Sequence, residues 1–181
     1  GTSINPRMWE KRVAGAQVLH FRNDVTGGNY VFGVNWTGAA SEWTFTEPGT
    51  GAWYHLLVTY DSGSTSNDPL IYLDGVSQSL TEVNPPSGSL ITNADAYVIG
   101  NRGNDNARGW EGGLAEFAIW DRILTQAEVT SIAKGFSPLF NPRGLVSYVP
   151  LVRTMRDYRN ATATDSGTAE YPHPRIIYPK L

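Results

Sequence analysis

Chemistry in this chain would have to come from a few side-chain groups. Asn104, Asp105 and Asn106 sit together in the polar, glycine-dense stretch 100–113, GNRGNDNARGWEGG. They are hard oxygen donors of the kind that hold calcium, with Asp24 and Asp95 as further carboxylates. Their spacing is not that of an EF-hand, and Asn, Asp and Gly are also ordinary turn formers. Trp43 and Trp110 lie in short or loop-flanked segments with polar neighbours. Either suits an aromatic plate for a sugar, with Asn104 and Arg108 as polar groups beside it. Packing in a core or hairpin is the other reading of both.

Acid–base and nucleophilic chemistry is poorly supported. Glu111 and Glu116 are five apart, and on a strand that spacing puts them on opposite faces, which argues against a glycosidase pair. Glu116 is expected to be structural, paired with an arginine such as Arg122. His20, His55 and His173 are isolated, without metalloprotease spacing, and no GxSxG supports a serine nucleophile. His55 is expected as a packed, hydrogen-bonded strand residue. The chain is therefore read as non-enzymatic and requiring no cofactor, with calcium as the candidate cation.

The elements that position these groups read as short strands. Residues 53–75 are two strands and a polar loop, with Tyr54, Leu56, Val58 and Tyr60 alternating against His55, Leu57 and Thr59. Residues 70–73 are apolar on both faces, which predicts a strand buried mid-sandwich, and Asp74-Gly75 predicts a tight hairpin turn. Further strands are expected at 17–21, 30–36, 42–45, 77–80, 96–99, 113–120 and 145–149, whereas 1–15 are weakly patterned. In 30–36, Tyr30, Phe32, Val34 and Trp36 share one face and the small Gly33 lies on the other. One helix is expected at 125–134, because Thr125-Gln-Ala-Glu128 is a capping box and Gly135 a suitable stop.

Composition agrees. The 181 residues include 19 Gly and 11 Pro, with 12% aromatic and 17% charged residues, favouring an all-β, antiparallel protein over a helical bundle. The absence of Cys excludes disulfides and thiolate metal sites. A net charge of −3 argues against a general nucleic-acid binder. Charge is uneven, with 8 Lys/Arg against 14 Asp/Glu in residues 1–135 and 6 against 3 in residues 136–181. A basic tail on an acidic body is expected to dock on its own domain or on an acidic neighbour, with Arg153, Arg156, Arg159 and Arg175 as the assembly residues.

The order of the motifs resembles a known family. Trp53-Tyr-His55 through Tyr60-Asp61, Ile71-Tyr72-Leu-Asp74-Gly75, Val98-Ile99-Gly100, Trp110-Glu-Gly112-Gly-Leu114-Ala-Glu116 and Leu124-Thr-Gln-Ala-Glu128 are similar to the laminin-G-like, concanavalin A-like jelly-roll family across about residues 16–135. The resemblance implies a two-sheet antiparallel jelly-roll sandwich, whose members mostly bind rather than catalyse. The E-x-D-x-x-E pattern of its glycan-cleaving relatives is absent. It also implies about two strands before the region matching residues 1–13, so the sandwich is expected to be N-terminally incomplete or completed by another polypeptide. Residues 136–151 and the closing His173-Pro-Arg-Ile-Ile-Tyr178-Pro are similar to the C-terminal extension of laminin-G-like proteins from tailed phages and environmental bacteria.

The expected organisation is a jelly-roll domain at 1–135 and an extension at 136–181 with one strand and a Pro-rich tail. The expected function is a virion-surface structural protein: a capsid decoration, fibre or adhesion subunit. Its loops would face solvent or glycan, while the N-terminal edge and tail meet capsid or fibre subunits or other copies. A carbohydrate-binding module of a bacterial secreted or surface protein is the alternative, and a glycoside hydrolase a remote one. No nucleic acid or membrane partner is expected.

Overall fold

The computed structural model describes residues 5–13, 16–92, 96–103, 107–151, 158–159, 164 and 172–180. The chain is mostly β: β1 (Arg7–Val13), β2 (Ala16–Asp24), β3 (Asn29–Asn35), β4 (Ala40–Thr46), β5 (Leu56–Thr59), β6 (Leu70–Leu73), β7 (Val76–Ser77), β8 (Thr81–Asn84), β9 (Tyr97–Ile99), β10 (Phe117–Trp120) and β11 (Leu145–Val149). Among the described residues one α-helix, α1 (Gln126–Ala133), follows β10, and a 3-10 turn covers Pro138–Phe140. Among the described residues no helix is long and apolar enough to cross a membrane. The chain forms two compact units: unit 1 (residues 1–51, 60–69 and 78–112) and unit 2 (52–59, 70–77 and 113–181).

Unit 1 is built on a six-stranded antiparallel sheet in the order β8-β4-β3-β2-β1-β9. Register places Trp9, Phe21, Phe32 and Trp43 side by side across four strands. Phe32 stacks on Trp43 with centroids 6.2 Å apart, and Tyr60 closes on Trp43 at 5.5 Å. Burying an aromatic or aliphatic side chain this way is worth about 1.5–3 kcal/mol. The neighbouring positions carry a second row, Glu10–His20–Gly33–Glu42, which the period-2 pleat turns to the opposite face.

That second row explains a surprise. Residues 1–15 carry little hydrophobic pattern, yet β1 lies inside the sheet between β2 and β9. Glu10 is fully buried, so a hydrophobic code scores as solvent-facing a position that faces inward.

Unit 2 holds two smaller antiparallel sheets, β5-β6-β7 and β10-β11. Asp74 and Gly75 turn the β6–β7 hairpin with φ of 51° and 81°, the pair of positive φ angles a two-residue turn demands. The turn is stapled back to the residue before β5, because the His55 amide donates to Asp74 Oδ1 (2.7 Å) and the Asp74 amide to the His55 carbonyl (2.8 Å). Leu57 and Tyr72 form one buried cluster with Leu124, Val129 and Ile132, against which Trp120 packs. The helix thus sits on the hairpin: a Cβ on Gly75 would come within 3.1 Å of the Ala133 Cβ.

β6 is central in its sheet and buried on both faces, as expected, through the adjacent Ile71 and Tyr72, and only its first residue, Leu70, is exposed, at 52%. One strand expectation needs correction. The return strand expected at 77–80 is only Val76–Ser77, and Thr81–Asn84 instead pairs with β4 as an edge of the six-stranded sheet. The capping box is as expected: the Glu128 amide donates to Thr125 Oγ1, and the Thr125 amide to Glu128 Oε2 at 2.8 Å. Gly135 ends the helix at φ 86°.

Candidate functional site

The densest polar constellation among the described residues is the second row of unit 1. Arg7 Nη2 donates to Gln17 Oε1 (2.7 Å), and Gln17 Nε2 meets His20 Nδ1 (2.5 Å). His20 Nε2 lies 3.3 Å from Glu42 Oε1, and Arg22 Nη2 reaches both Glu42 oxygens at 3.1–3.2 Å. The chain of donors is self-consistent only if His20 is neutral and protonated on Nε2, donating to Glu42 and accepting from Gln17.

Electrostatics agree with that assignment. Burial lowers the His20 pKa to about 4, against the opposing pull of the Glu42 hydrogen bond. The His20 hydrogen bond, aided by Arg22, brings Glu42 down to about 2 despite its own burial. Burial and then Arg22 lower Arg7 to about 10, leaving it charged at neutral pH. The backbone makes room: His20 lies over Gly33, where a Cβ would fall 1.9 Å from His20 Cε1. Both ring nitrogens of His20 are already engaged and the residue is 1% exposed. Neither nitrogen is left to take a proton from a substrate, and the relay ties three strands together.

The loop beyond β9 is moored to the same cluster. Gly103 donates its amide to Glu10 Oε1 (2.6 Å), Glu10 Oε2 lies 3.4 Å from Arg7 Nε, and the Arg7 amide bonds the Arg108 carbonyl (2.9 Å). Asn101 pinches the loop, its Oδ1 accepting from the amides of Arg102 (2.7 Å) and Arg108 (3.1 Å). The Trp110 amide closes the base on the Gly100 carbonyl at 2.8 Å.

The residues nominated from sequence are dispersed. Trp43 is not an exposed sugar plate: it is 1% exposed, packed on Phe32 and Tyr60, with its indole N–H on Asp68 at 2.9 Å. A bulky apolar ring opposite Phe32 belongs in the core, and the polar residues beside it in sequence alternate to the other face. Trp110 is half-buried, its ring against Tyr30 at 6.2 Å and its indole nitrogen buried without a hydrogen-bond partner among the described residues. Arg108 is half-buried. Asn104, Asp105, Asn106, Asp95, Arg153 and Arg156 lie outside the described residues. Among the described residues no group of three or more His, Asp or Glu side chains could hold a metal. Asp24 Oδ1 caps its own turn, accepting from the amides of Thr26 and Gly27. Arg159 Nε donates to the Leu145 carbonyl (2.9 Å), and Arg175 is exposed.

Unit 2 has a hub that the sequence did not reveal. Glu116, in the left-handed region at φ 58°, accepts from the hydroxyls of Tyr148 (2.7 Å) and Tyr178 (2.8 Å), and His173 Nε2 lies 3.2 Å away. Burial first, then the Glu116 hydrogen bond, raises the Tyr178 hydroxyl to about 12 and pushes that of Tyr148 higher still. The expected Glu116–Arg122 pair does not form. Arg122 holds Glu128 instead at 2.5 and 2.9 Å, because the capping box already fixes that carboxylate six residues away. The tail is stitched alongside: Ile177 donates to the Gly135 carbonyl (2.8 Å) and accepts from the Ser137 amide (2.9 Å). The basic tail therefore docks, over 172–180, on its own chain. Glu111, the other half of the rejected carboxylate pair, is exposed.

Antiparallel sheets, a sheet face of aromatic residues and, among the described residues, one short helix make this a mostly β protein, and comparison with known families gives its class. Residues 5–130 match the laminin-G-like model of the concanavalin A-like lectin/glucanases superfamily, and the chain belongs to that superfamily. The match takes in β1, which the motif resemblance left out. The chain is also similar to neuronal pentraxin-1 of rat and of human, each 34% identical over 91 residues, covering 46% of this chain and 20% of the relative. The chain thus spans about a fifth of the length of these curated relatives. No solved structure matches it significantly.

Proposed function

We propose that the chain is a non-catalytic, lectin-type recognition module that binds glycan in an extracellular or virion-surface setting. Membership of the concanavalin A-like lectin/glucanases superfamily supports the glycan-directed half of this reading. The observation that carries the non-catalytic half is the engagement of the carboxylates. A glycosidase needs one carboxyl held protonated and a second ionised across the substrate. Here Glu10 is buried between Arg7 and Arg12. Glu42 is held near 2 chiefly by His20, and Glu128 near 2 chiefly by Arg122. Glu116 is committed to two tyrosines.

The narrower reading is a structural subunit of a tailed-phage virion surface, a decoration, fibre or adhesion protein. In it Arg153, Arg156, Arg159 and Arg175 meet neighbouring subunits. It is favoured by the likeness of residues 173–179 to the C-terminal extension of laminin-G-like proteins from tailed phages. Calcium bound by residues 104–106 is compatible with either reading.

The test is a glycan array on the purified full chain, with product analysis and light scattering. Retention of one glycan class by a monomer, uncleaved, supports the module. Trimers or larger arrays without glycan retention favour the subunit. Release of cleaved product overturns the non-catalytic reading.

A further inference from the structure

A groove of about 560 Å³ runs along α1, lined by Gln126, Ala127, Thr130, Ser131, Lys134 and Phe136. That size falls within the roughly 300–1,000 Å³ of ligand clefts. Ala127, Thr130, Ser131 and Lys134 are spaced three and four apart and so share one side of the helix. The buried Val129 and Ile132 lie on the opposite side, against the hairpin. Phe136 walls one end of the groove, its ring meeting that of Phe140 edge-on with centroids 5.4 Å apart. Ile177 pairs beside Phe136. Phe140 and Ile177 are each 43% exposed, so apolar surface continues past the groove.

Two cations border this surface, Lys134 and Arg175, both exposed. Among the described residues neither is paired with a carboxylate: Glu128 is held by Arg122, and Glu116 by two tyrosines and His173. The backbone brings Arg175 to the helix end. Its carbonyl lies 3.1 Å from where a Gly135 Cβ would stand, and the Ile177 amide donates to the Gly135 carbonyl at 2.8 Å. The helix carbonyls that would oppose an anion there are already engaged. Those of Thr130, Ser131 and Ile132 accept from the amides of Lys134, Phe136 and Gly135, which reduces the negative character of that end.

We propose that this surface docks an acidic peptide segment of a partner protein, with one apolar side chain in the groove against Ala127 and Phe136 and carboxylates on Lys134 and Arg175. Two cations without a carboxylate, set beside apolar surface, fix the sign of the partner's charge. Arg175 offers a planar fork that takes a carboxylate through two hydrogen bonds, and Lys134 a mobile point charge. Gln126 and Ser131 supply side-chain groups able to bond a peptide backbone. An anionic membrane fits less well, because a bilayer receives an apolar face that projects into it, and the groove is a recess. Such docking is independent of the glycan reading and holds with or without it.

The experiment titrates the peptide Ac-Glu-Glu-Phe-Glu-Glu-NH2 into the full chain and follows amide shift changes, with Ac-Glu-Glu-Gly-Glu-Glu-NH2 and Ac-Lys-Lys-Phe-Lys-Lys-NH2 as controls. The expected result is saturable shifts centred on residues 126–136 and 175–177, at least fivefold weaker binding of both controls, and weakening as salt is raised. Lys134→Glu combined with Arg175→Glu loses the acidic peptide and gains the lysine peptide, a switch that a misfolded chain would not make. Ala127→Trp, which fills the groove without changing charge, weakens the acidic peptide at least fivefold. If that peptide gives no saturable shifts, or both variants bind it as well as the parent, the docking surface is wrong. Sedimentation with phosphatidylglycerol vesicles, lost in the charge-reversed variant and unaccompanied by peptide binding, would assign the surface to a membrane and also overturn the proposal. Glycan retention is read separately, so failure here leaves the lectin-type reading standing.

Discussion

His20 sits where two opposite demands meet. It is almost wholly buried, which disfavours charge, yet its Nε2 faces the Glu42 carboxylate, which favours it. Burial wins, and the ring stays neutral with a pKa near 4. The sign of the pH effect follows. Below about 6.5, the ordinary histidine value, the unfolded chain takes up a proton that the folded chain refuses, so stability falls as pH drops from about 6.5 through 4. Glu42, lowered to about 2, adds to the loss below the usual carboxylate range. The expected outcome is a melting temperature that declines across pH 6.5–4 in the parent and declines less in His20→Gln, measured by calorimetry at matched ionic strength. Gly33→Ala tests the same contact from below. Its methyl would overlap the imidazole, and a cost of about 1–3 kcal/mol in denaturant midpoint is expected. His20→Ala in the same chain should restore much of it.

At the scale of elements, the β6–β7 hairpin and α1 depend on one another. Asp74 and Gly75 hold positive φ, and the turn carbonyl of Gly75 accepts from Gln126 Nε2 at 3.3 Å on the helix. The helix has eight residues, too few to persist alone in water, so its cap and the packing of Val129 and Ile132 must hold it. Gly75→Ala is expected to cost about 1–2 kcal/mol for the left-handed backbone, with a further penalty from Ala133. Thermal unfolding of that variant checks it. Replacing Asp74 by Asn, which tolerates the same φ, should do less harm, although its side chain must then keep the bond to the His55 amide.

At the scale of the whole chain, residues some 60 positions apart are joined at Glu116. The tail contributes Tyr178 and His173, the β11 strand contributes Tyr148, and two backbone hydrogen bonds lay Ile177 along Gly135 and Ser137. Glu116 accepts the strain of a left-handed backbone because these partners over-determine its position. Tyr178→Phe keeps the ring and removes one donor. It is expected to lower stability by about 1 kcal/mol, discounted because Tyr178 is 44% exposed. Amide exchange of residues 172–180 should quicken relative to β11. Unchanged exchange would show that the backbone pairing alone holds the tail.

The sequence by itself determined the fold class, the hairpin turn and the helix. These depend on local periodicity, on φ preferences at Asp74 and Gly75, and on a capping box closed within four residues. It also carried the family motifs, which the match over residues 5–130 bears out. One trace of the polar row was legible too: Gly33 in the middle of a bulky strand marks a place where another side chain comes close. The tertiary structure alone decided the rest. Whether Trp43 faces solvent or core depends on which residue β3 sets beside it. Whether Glu116 meets Arg122 or two tyrosines depends on where β11 and the tail return. Charged residues such as Glu10 and Glu42 look solvated in any one-dimensional pattern. Only the pairing of four strands shows that they are partnered across a sheet, because the contacts that stabilise a buried charge come from residues distant in sequence.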